Sequence, residues 1–208
     1  FLTEWGISGM WQRPKTPWGA GLEESTAAKA QCYRRRYRDA ILGHPGRCLG
    51  GFAFYWGWRH ETTLSWYNTW GPDEAEMETV EVWKELWTDV PADPELPHLY
   101  GVRVNHFGAP DPVYLKPGQK VALEALSDAN AKLPGMRFSW EVRPEVVYGA
   151  YAGSGESLPD TVPDSIGDLD DHHATLTAPG KPGNYRVFAY LYDARNRFAT
   201  ANLPFCVE

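Results

Sequence analysis

The chain predicts two architectures in series, α/β in residues 1–89 and all-β in residues 98–208, joined by a linker at 90–97. Three observations carry this. Apolar runs at 1–5 and 48–56 are each followed by a long aromatic loop and a helical pattern, the signature of consecutive βα units. Val90-Pro91-Ala92-Asp93-Pro94-Glu95-Leu96-Pro97 then interrupts the chain with three prolines. Beyond it, short alternating runs punctuated by Gly, Pro, Asn and Asp argue for an antiparallel sandwich the size of an immunoglobulin-like domain.

The first strand is Phe1-Leu2-Thr3-Glu4-Trp5-Gly6, which delivers a carboxylate into an aromatic, glycine-containing turn. Barrel enzymes present catalytic acids in this way, at the C-terminal end of a strand where the βα-loops build the active site. The expected fold of residues 1–89 is therefore consecutive βα units of a barrel, incomplete as it stands. Residues 7–22 hold Trp11, Pro14, Pro17 and Trp18 with three glycines, which is loop chemistry. Ser25 or Thr26 caps a helix reaching about Leu42, with Ala30, Tyr33, Tyr37 and Ile41 at helical spacing and Gly43 as the stop. Arg34, Arg35, Arg36 and Arg38 read as a solvated helix face. Cys48 to Trp56 is a continuous apolar run bounded by turn signals, hence a strand buried on both faces. Gly57-Trp58-Arg59-His60-Glu61 opens a second polar and aromatic loop reaching Trp70 and Gly71-Pro72. Met77, Val80, Trp83 and Trp87 then line one side of a closing helix.

In the second half, candidate strands are centred on residues 99–104, 120–125, 138–142, 174–176, 185–191 and 198–203. Trp140 is the expected core tryptophan of a central strand. Gly183-Asn184-Tyr185 resembles a corner at which a tyrosine hydroxyl bonds back to an upstream backbone group. Asp193 to Asn196 is a hairpin turn. The insertion from Val147 to His173 carries Asp160, Asp164, Asp168, Asp170 and Asp171. A calcium loop would use such carboxylates, but the alternation of an EF-hand is missing, so a flexible acidic excursion is expected. His172-His173 alone does not make a metal site.

Composition narrows the function classes. The net charge of −7 is spread over both halves, residues 1–89 with 10 basic and 12 acidic side chains and residues 90–208 with 10 and 15. Nucleic acid is therefore not an expected partner. No run approaches the ~20 apolar residues of a membrane span, and no signal peptide is visible. Localisation is unreadable at the N-terminus, with a periplasmic or secreted setting the favoured reading. Ten Trp and eleven Tyr are the outlying numbers. Clustered Trp and Tyr suit sugar binding, because flat apolar faces match the C–H faces of pyranose rings and polar edges reach hydroxyls. Three cysteines are too few for a disulfide scaffold. Cys32 and Cys48 could pair in an oxidising compartment, but free thiols packing as small hydrophobes are expected. No cofactor and no metal are expected.

Thr3-Glu4-Trp5-Gly6, followed by the apolar run ending at Trp56, resembles strands seven and eight of the clan of retaining glycoside hydrolases on (β/α)8 barrels. Pro14-Lys15-Thr16-Pro17-Trp18-Gly19-Ala20 and Phe54-Tyr55-Trp56-Gly57 look like family 2-type members whose catalytic region runs into a C-terminal sandwich. Pro182-Gly183-Asn184-Tyr185 and Thr200-Ala201-Asn202-Leu203-Pro204-Phe205 are similar to their tail domain and to polycystic-kidney-disease-type modules. The resemblance covers nearly the whole chain. It implies that residues 1–89 are the last two βα units of such a barrel, that Glu4 is the nucleophile and that Trp56 floors the sugar subsite. Trp5 and Trp58 are read as further substrate contacts from the aromatic loops themselves, and Glu61, which follows strand eight and so departs from the family's arrangement, as a hydroxyl-binding acid. The family's acid/base ends its fourth strand and has no counterpart here.

The function these residues imply is the C-terminal portion of a retaining glycoside hydrolase acting on a β-linked glycan. The expected partners are an oligo- or polysaccharide and the remainder of a barrel, and the piece alone should be inactive. The rival is a non-catalytic carbohydrate-binding or assembly module centred on the sandwich.

Overall fold

The computed structural model describes residues 1–146 and 157–208. The chain begins with β1 (Leu2–Trp5), continues through a loop to α1 (Thr26–Tyr37), and returns to β2 (Gly51–Ala53). Ser25 caps α1, its hydroxyl accepting from Ala28 N at 3.3 Å, which satisfies one of the orphan donors of the first turn. A π-helical turn at Arg38–Leu42 extends the helix. β1 and β2 pair in parallel, with Leu2 opposite Gly51 and Trp5 opposite Ala53. β3 (Glu76–Met77) then leads directly into α2 (Glu78–Thr88), which packs on α1.

Nine further strands follow: β4 (Leu99–Val104), β5 (Phe107–Gly108), β6 (Tyr114–Leu115), β7 (Lys120–Ser127), β8 (Arg137–Pro144), β9 (Ile166–Asp170), β10 (His173–Thr177), β11 (Gly183–Tyr192) and β12 (Arg197–Val207). One five-stranded sheet runs β5-β4-β7-β10-β9 and the other runs β3-β12-β11-β8, with β6 also on β12. Strict alternation in β7 turns Val121, Leu123 and Ala125 inward and their neighbours outward. They meet Val187, Ala189, Leu191, Ala199, Ala201, Leu203 and Phe205 of β11 and β12, with Trp140 in the same core. The Tyr185 hydroxyl donates to Lys181 O at 2.8 Å, the corner anticipated at that tyrosine. Asp193 to Asn196 turns the β11–β12 hairpin, Asp193 Oδ1 accepting from Arg195 N and Arg197 N.

The barrel expectation is not met. Among the described residues there are two α-helices and three sheets, and none of the sheets is a barrel. Closure takes eight strands tilted around an axis, whereas β1 and β2 form an isolated pair of four and three residues. The element before α2 is β3, which pairs with β12 and so belongs to the large second sheet.

The run at 48–56 is also not a strand buried on both faces. Only Gly51–Ala53 pairs, and Leu49 and Phe52 stand 73% and 66% exposed. One face of the β1–β2 pair is covered by the helices, through Trp5 against Tyr33 and Trp83 at ring distances of 6.0 and 5.0 Å. The other face is open, so residues that read as core line a surface. Nor is the arginine face of α1 simply solvated. Arg34 binds Glu85 at 2.8 Å, and Arg36 donates to Gly6 O and to Ser8 Oγ, tying the helix to α2 and to the end of β1. The three cysteines are free thiols, Cys32 buried in the helix packing. Residues 147–156 of the acidic insertion lie outside the described residues, and its later part is ordered as the β9–β10 hairpin.

The halves share a buried polar seam because β11 is covered on both faces. Its even positions Arg186, Phe188 and Tyr190 point toward the first half, while its odd positions fill the sandwich. Arg186 donates to both oxygens of Glu145 at 2.8 and 2.7 Å, to Asn202 Oδ1 at 2.6 Å and to Gly21 O at 2.8 Å. Asn202 Nδ2 donates to Glu23 Oε2 at 2.7 Å, and Glu23 accepts from Ser65 Oγ and is ion-paired with Lys29. Burial alone would push the Glu23 carboxyl up, but the Lys29 charge and hydrogen bonds from Lys29 and Thr63 hold it below the usual range. For Lys29 burial prevails over Glu23, and its ammonium is held low. Thr26 and Thr200 exchange two further hydrogen bonds across the same seam.

Candidate functional site

A cleft of about 570 Å³ opens at the C-terminal ends of β1 and β2. Ligands of parallel strand units gather at such ends, because the chain leaves each strand there as a loop. Glu4, Trp5 and Gly6 come from the end of β1, and Trp11 and Gln12 from a single 3-10 turn. Phe54, Arg59, Glu61 and Tyr67 come from the segment after β2. Phe54 N donates to Trp5 O at 2.7 Å, and the Tyr33 hydroxyl donates to Phe54 O at 3.1 Å. These bonds fix how the two strand ends diverge. Gly6 is required there, since a Cβ would lie 2.8 Å from Phe54 O.

The loop from Gly57 to Gly71 forms the inner wall. It reads in the sequence as a polar and aromatic loop, yet residues 60–69 are buried throughout. Burying a loop strands its backbone polar groups unless side chains answer them. Asn68 does so, accepting from Arg59 N at 3.1 Å and donating to Arg59 O and Leu64 O at 2.8 and 2.7 Å. Thr69 Oγ1 accepts from Gly57 N and donates to Tyr55 O, both at 3.2 Å. Trp66 Nε1 reaches Ser8 O at 3.1 Å, linking the two walls of the cleft.

Glu4 is exposed at the rim. Glu61 is buried and ion-paired with Arg59, whose guanidinium lies over the Tyr55 ring at 4.6 Å and the Phe54 ring at 5.4 Å. A planar cation stacked on two rings and bound to a carboxylate is fixed in place. The cleft thus holds two carboxylates and one guanidinium. Glu61 and Arg59 neutralise one another, and Glu4 supplies the uncompensated negative charge. Trp11, 63% exposed, also lines the cleft, its ring lying against Gly9.

Of the residues singled out from the sequence, Glu4, Trp5 and Glu61 come together in this cleft. The Trp5 indole, however, is turned into the aromatic cluster of Tyr33, Tyr37 and Trp83, which makes it a packing residue. Trp56 is not brought to the cleft. It is half exposed and packs on Trp70 and Trp87 at ring distances of 4.4 and 5.7 Å, on the side of α2. Trp58 is 39% exposed and does not line the cleft either. Gln12 and Tyr67 carried no signal in the sequence. They arrive from separate loops, and nothing in their local spacing announces convergence.

No helix among the described residues is long and apolar enough to cross a membrane. No family model matches the sequence, and no curated protein matches it. Among solved structures the chain is similar to a nucleoside hydrolase-related hypothetical protein from Saccharophagus degradans that is associated with carbohydrate metabolism. The two are 19% identical with a TM-score of 0.39, over 63% of this chain and 30% of that one, so the chain spans under a third of that protein's length.

Proposed function

We propose that the cleft beside Glu4 binds carbohydrate and that Glu4 is the nucleophilic carboxylate of a retaining glycoside hydrolase acting on a β-linked glycan. The observation that carries the reading is the convergence of Glu4 with Glu61, Arg59 and the exposed face of Trp11 around one cleft of about 570 Å³. An aromatic face suits a pyranose ring, and an ion-paired Arg and Glu offer both donors and acceptors to vicinal hydroxyls. The T-E-W-G text at residues 3–6 supports the role of Glu4.

Retaining hydrolysis needs a second carboxyl about 5–5.5 Å from the first, one attacking and the other protonating the leaving oxygen. Glu61 is held by Arg59, so its work is positional and the proton donor is not among the cleft residues of this chain. The chain alone binds sugar without cleaving it. That pairing also favours the second reading, a carbohydrate-binding protein with no hydrolytic role.

Calorimetric titration with β-linked gluco-, xylo- and galacto-oligosaccharides tests binding. One of these series should bind, and Trp11→Ala should weaken it at least tenfold; no binding by any of them, or binding indifferent to Trp11→Ala, sinks the site. The complete protein then separates the readings. Glu4→Gln abolishes turnover and spares binding if Glu4 is the nucleophile, whereas an intact protein with no turnover leaves the binding reading.

A further inference from the structure

The outer surface of the sandwich carries a second cluster with its own chemistry. Glu124 on β7 lies directly opposite His173 on β10, and the same row continues to Arg103 on β4 and Asp170 on β9. Directly opposed residues of an antiparallel pair have Cβ atoms about 4.5–5.5 Å apart on one face, close enough to share a ligand. His172 should point the other way, since consecutive strand residues alternate. It does not, because it belongs to the turn between β9 and β10. Asp171 adopts φ 43°, in the left-handed region, and the chain reverses there. His172 O accepts from Ala125 N at 2.8 Å, pinning the turn onto β7. The two imidazole rings then lie side by side, 4.0 Å between centroids and 40° apart in plane.

One ligand atom from each of Glu124, His172 and His173 falls within 4.8 Å of the other two. Tetrahedral zinc, with ligands about 2.1 Å away, sets its donors roughly 3.4 Å apart, a gap that surface side chains close by small χ rotations. We propose that Glu124, His172 and His173 form a binding site for a borderline divalent cation, with Zn²⁺ its ligand. Two imidazoles and one carboxylate are the donor set of zinc with an open fourth position, and Ca²⁺, which takes oxygen ligands, is not suited to it. Arg103 Nη1 holds Glu124 Oε2 at 3.3 Å and orients the carboxylate from behind, as outer partners do at metal sites. Glu124 and His172 also line a groove of about 490 Å³ with Asp128, Lys132, Phe138 and Asp171, which leaves room for water as a fourth ligand. This site is separate from the cleft at Glu4 and independent of the carbohydrate reading.

The test is calorimetric titration of the chelator-treated chain with Zn²⁺, repeated with Ca²⁺. One equivalent of Zn²⁺ should bind while Ca²⁺ is silent, and His172→Ala, His173→Ala and Glu124→Gln should each weaken binding at least tenfold. All three positions are at least partly exposed, so unchanged circular dichroism and melting without metal should confirm that the variants fold. No Zn²⁺ uptake, or undiminished uptake in the double variant His172→Ala/His173→Ala, overturns the site. Co²⁺ in the unmodified chain decides independently of any variant. A tetrahedral visible spectrum supports the site, and the weak octahedral spectrum of loosely held ion refutes it.

Discussion

Removing the guanidinium of Arg186 should destabilise the whole fold, because this side chain anchors the seam between the halves. Its side chain is 2% exposed and that of its partner Glu145 is 0% exposed. Arg186→Met retains much of the aliphatic volume but deletes four hydrogen bonds, two to Glu145, one to Asn202 Oδ1 and one to Gly21 O. Glu145 then remains as a buried carboxylate without its counter-charge. Breaking a buried pair from one side costs about 3–5 kcal/mol. For a chain of this length each kcal/mol moves the melting midpoint by roughly 2–4 °C, so the drop should be about 6–20 °C. Urea unfolding followed by tryptophan fluorescence reads the loss as a lower midpoint at unchanged slope. The double variant Arg186→Met/Glu145→Leu should recover most of it, since replacing both members by apolar groups is often neutral or stabilising. A loss under about 1 kcal/mol for the single variant is what a solvated surface pair gives, and it would refute the account of the seam.

Two further outcomes follow from local geometry. The Glu78 carboxylate, 3.0 Å from Nδ1, raises the imidazole pKa of His98, against the opposing effect of partial burial. A group raised in the folded state stabilises fully below its unfolded value, about 6.5, and that stability is lost as pH rises through the higher folded value. Melting of the native chain should therefore fall on going from pH 6 toward pH 9 relative to His98→Gln, by the 2–4 °C that about 1 kcal/mol represents; parallel pH profiles would exclude the linkage. Gly51→Ala should cost about 1–3 kcal/mol by overpacking, because the new Cβ would sit 2.7 Å from Trp5 Nε1. Trp5 cannot retreat, being enclosed by Tyr33, Tyr37 and Trp83, so an unchanged urea midpoint would show that the aromatic cluster is looser than its ring distances imply.

What was legible in the sequence was local. Ser25 and the helical spacing through Tyr37 announce α1 because cap and stripe are contiguous in the chain. Tyr185 and the turn at Asp193 are legible for the same reason. The apolar run at 48–56 misleads because periodicity reports hydrophobicity and cannot report what covers it. Phe52 belongs to a two-stranded sheet with one bare face. β9 escapes notice because an exposed edge strand needs no apolar face, and its text Ile166-Gly167-Asp168-Leu169-Asp170 reads as an acidic loop. The even positions of β11 carry the opposite lesson. Arg186 amid Val, Phe and Ala looks like the outward residue of a two-layer sandwich, and only the packing of the first half against that face makes it a buried anchor.

The cleft depends on the same long-range coupling. Glu4 and Glu61 are 57 positions apart, and their convergence needs the parallel β1–β2 pair to bring Trp5 O to Phe54 N. That pair is short and open on one side, so it cannot hold the wall of the cleft by itself. The wall is held by the buried loop 57–71, whose backbone is satisfied by Asn68 and Thr69 and whose far side rests on Met77, Phe188, Tyr190 and Phe198 through Leu64. β11 and β12 therefore support the cleft from behind, and Arg59 and Glu61 take their positions from a scaffold that lies in the other half of the chain. The geometry of the cleft and the stability of the sandwich are consequently linked. A change at the seam that leaves every cleft residue in place will still loosen the wall carrying Arg59.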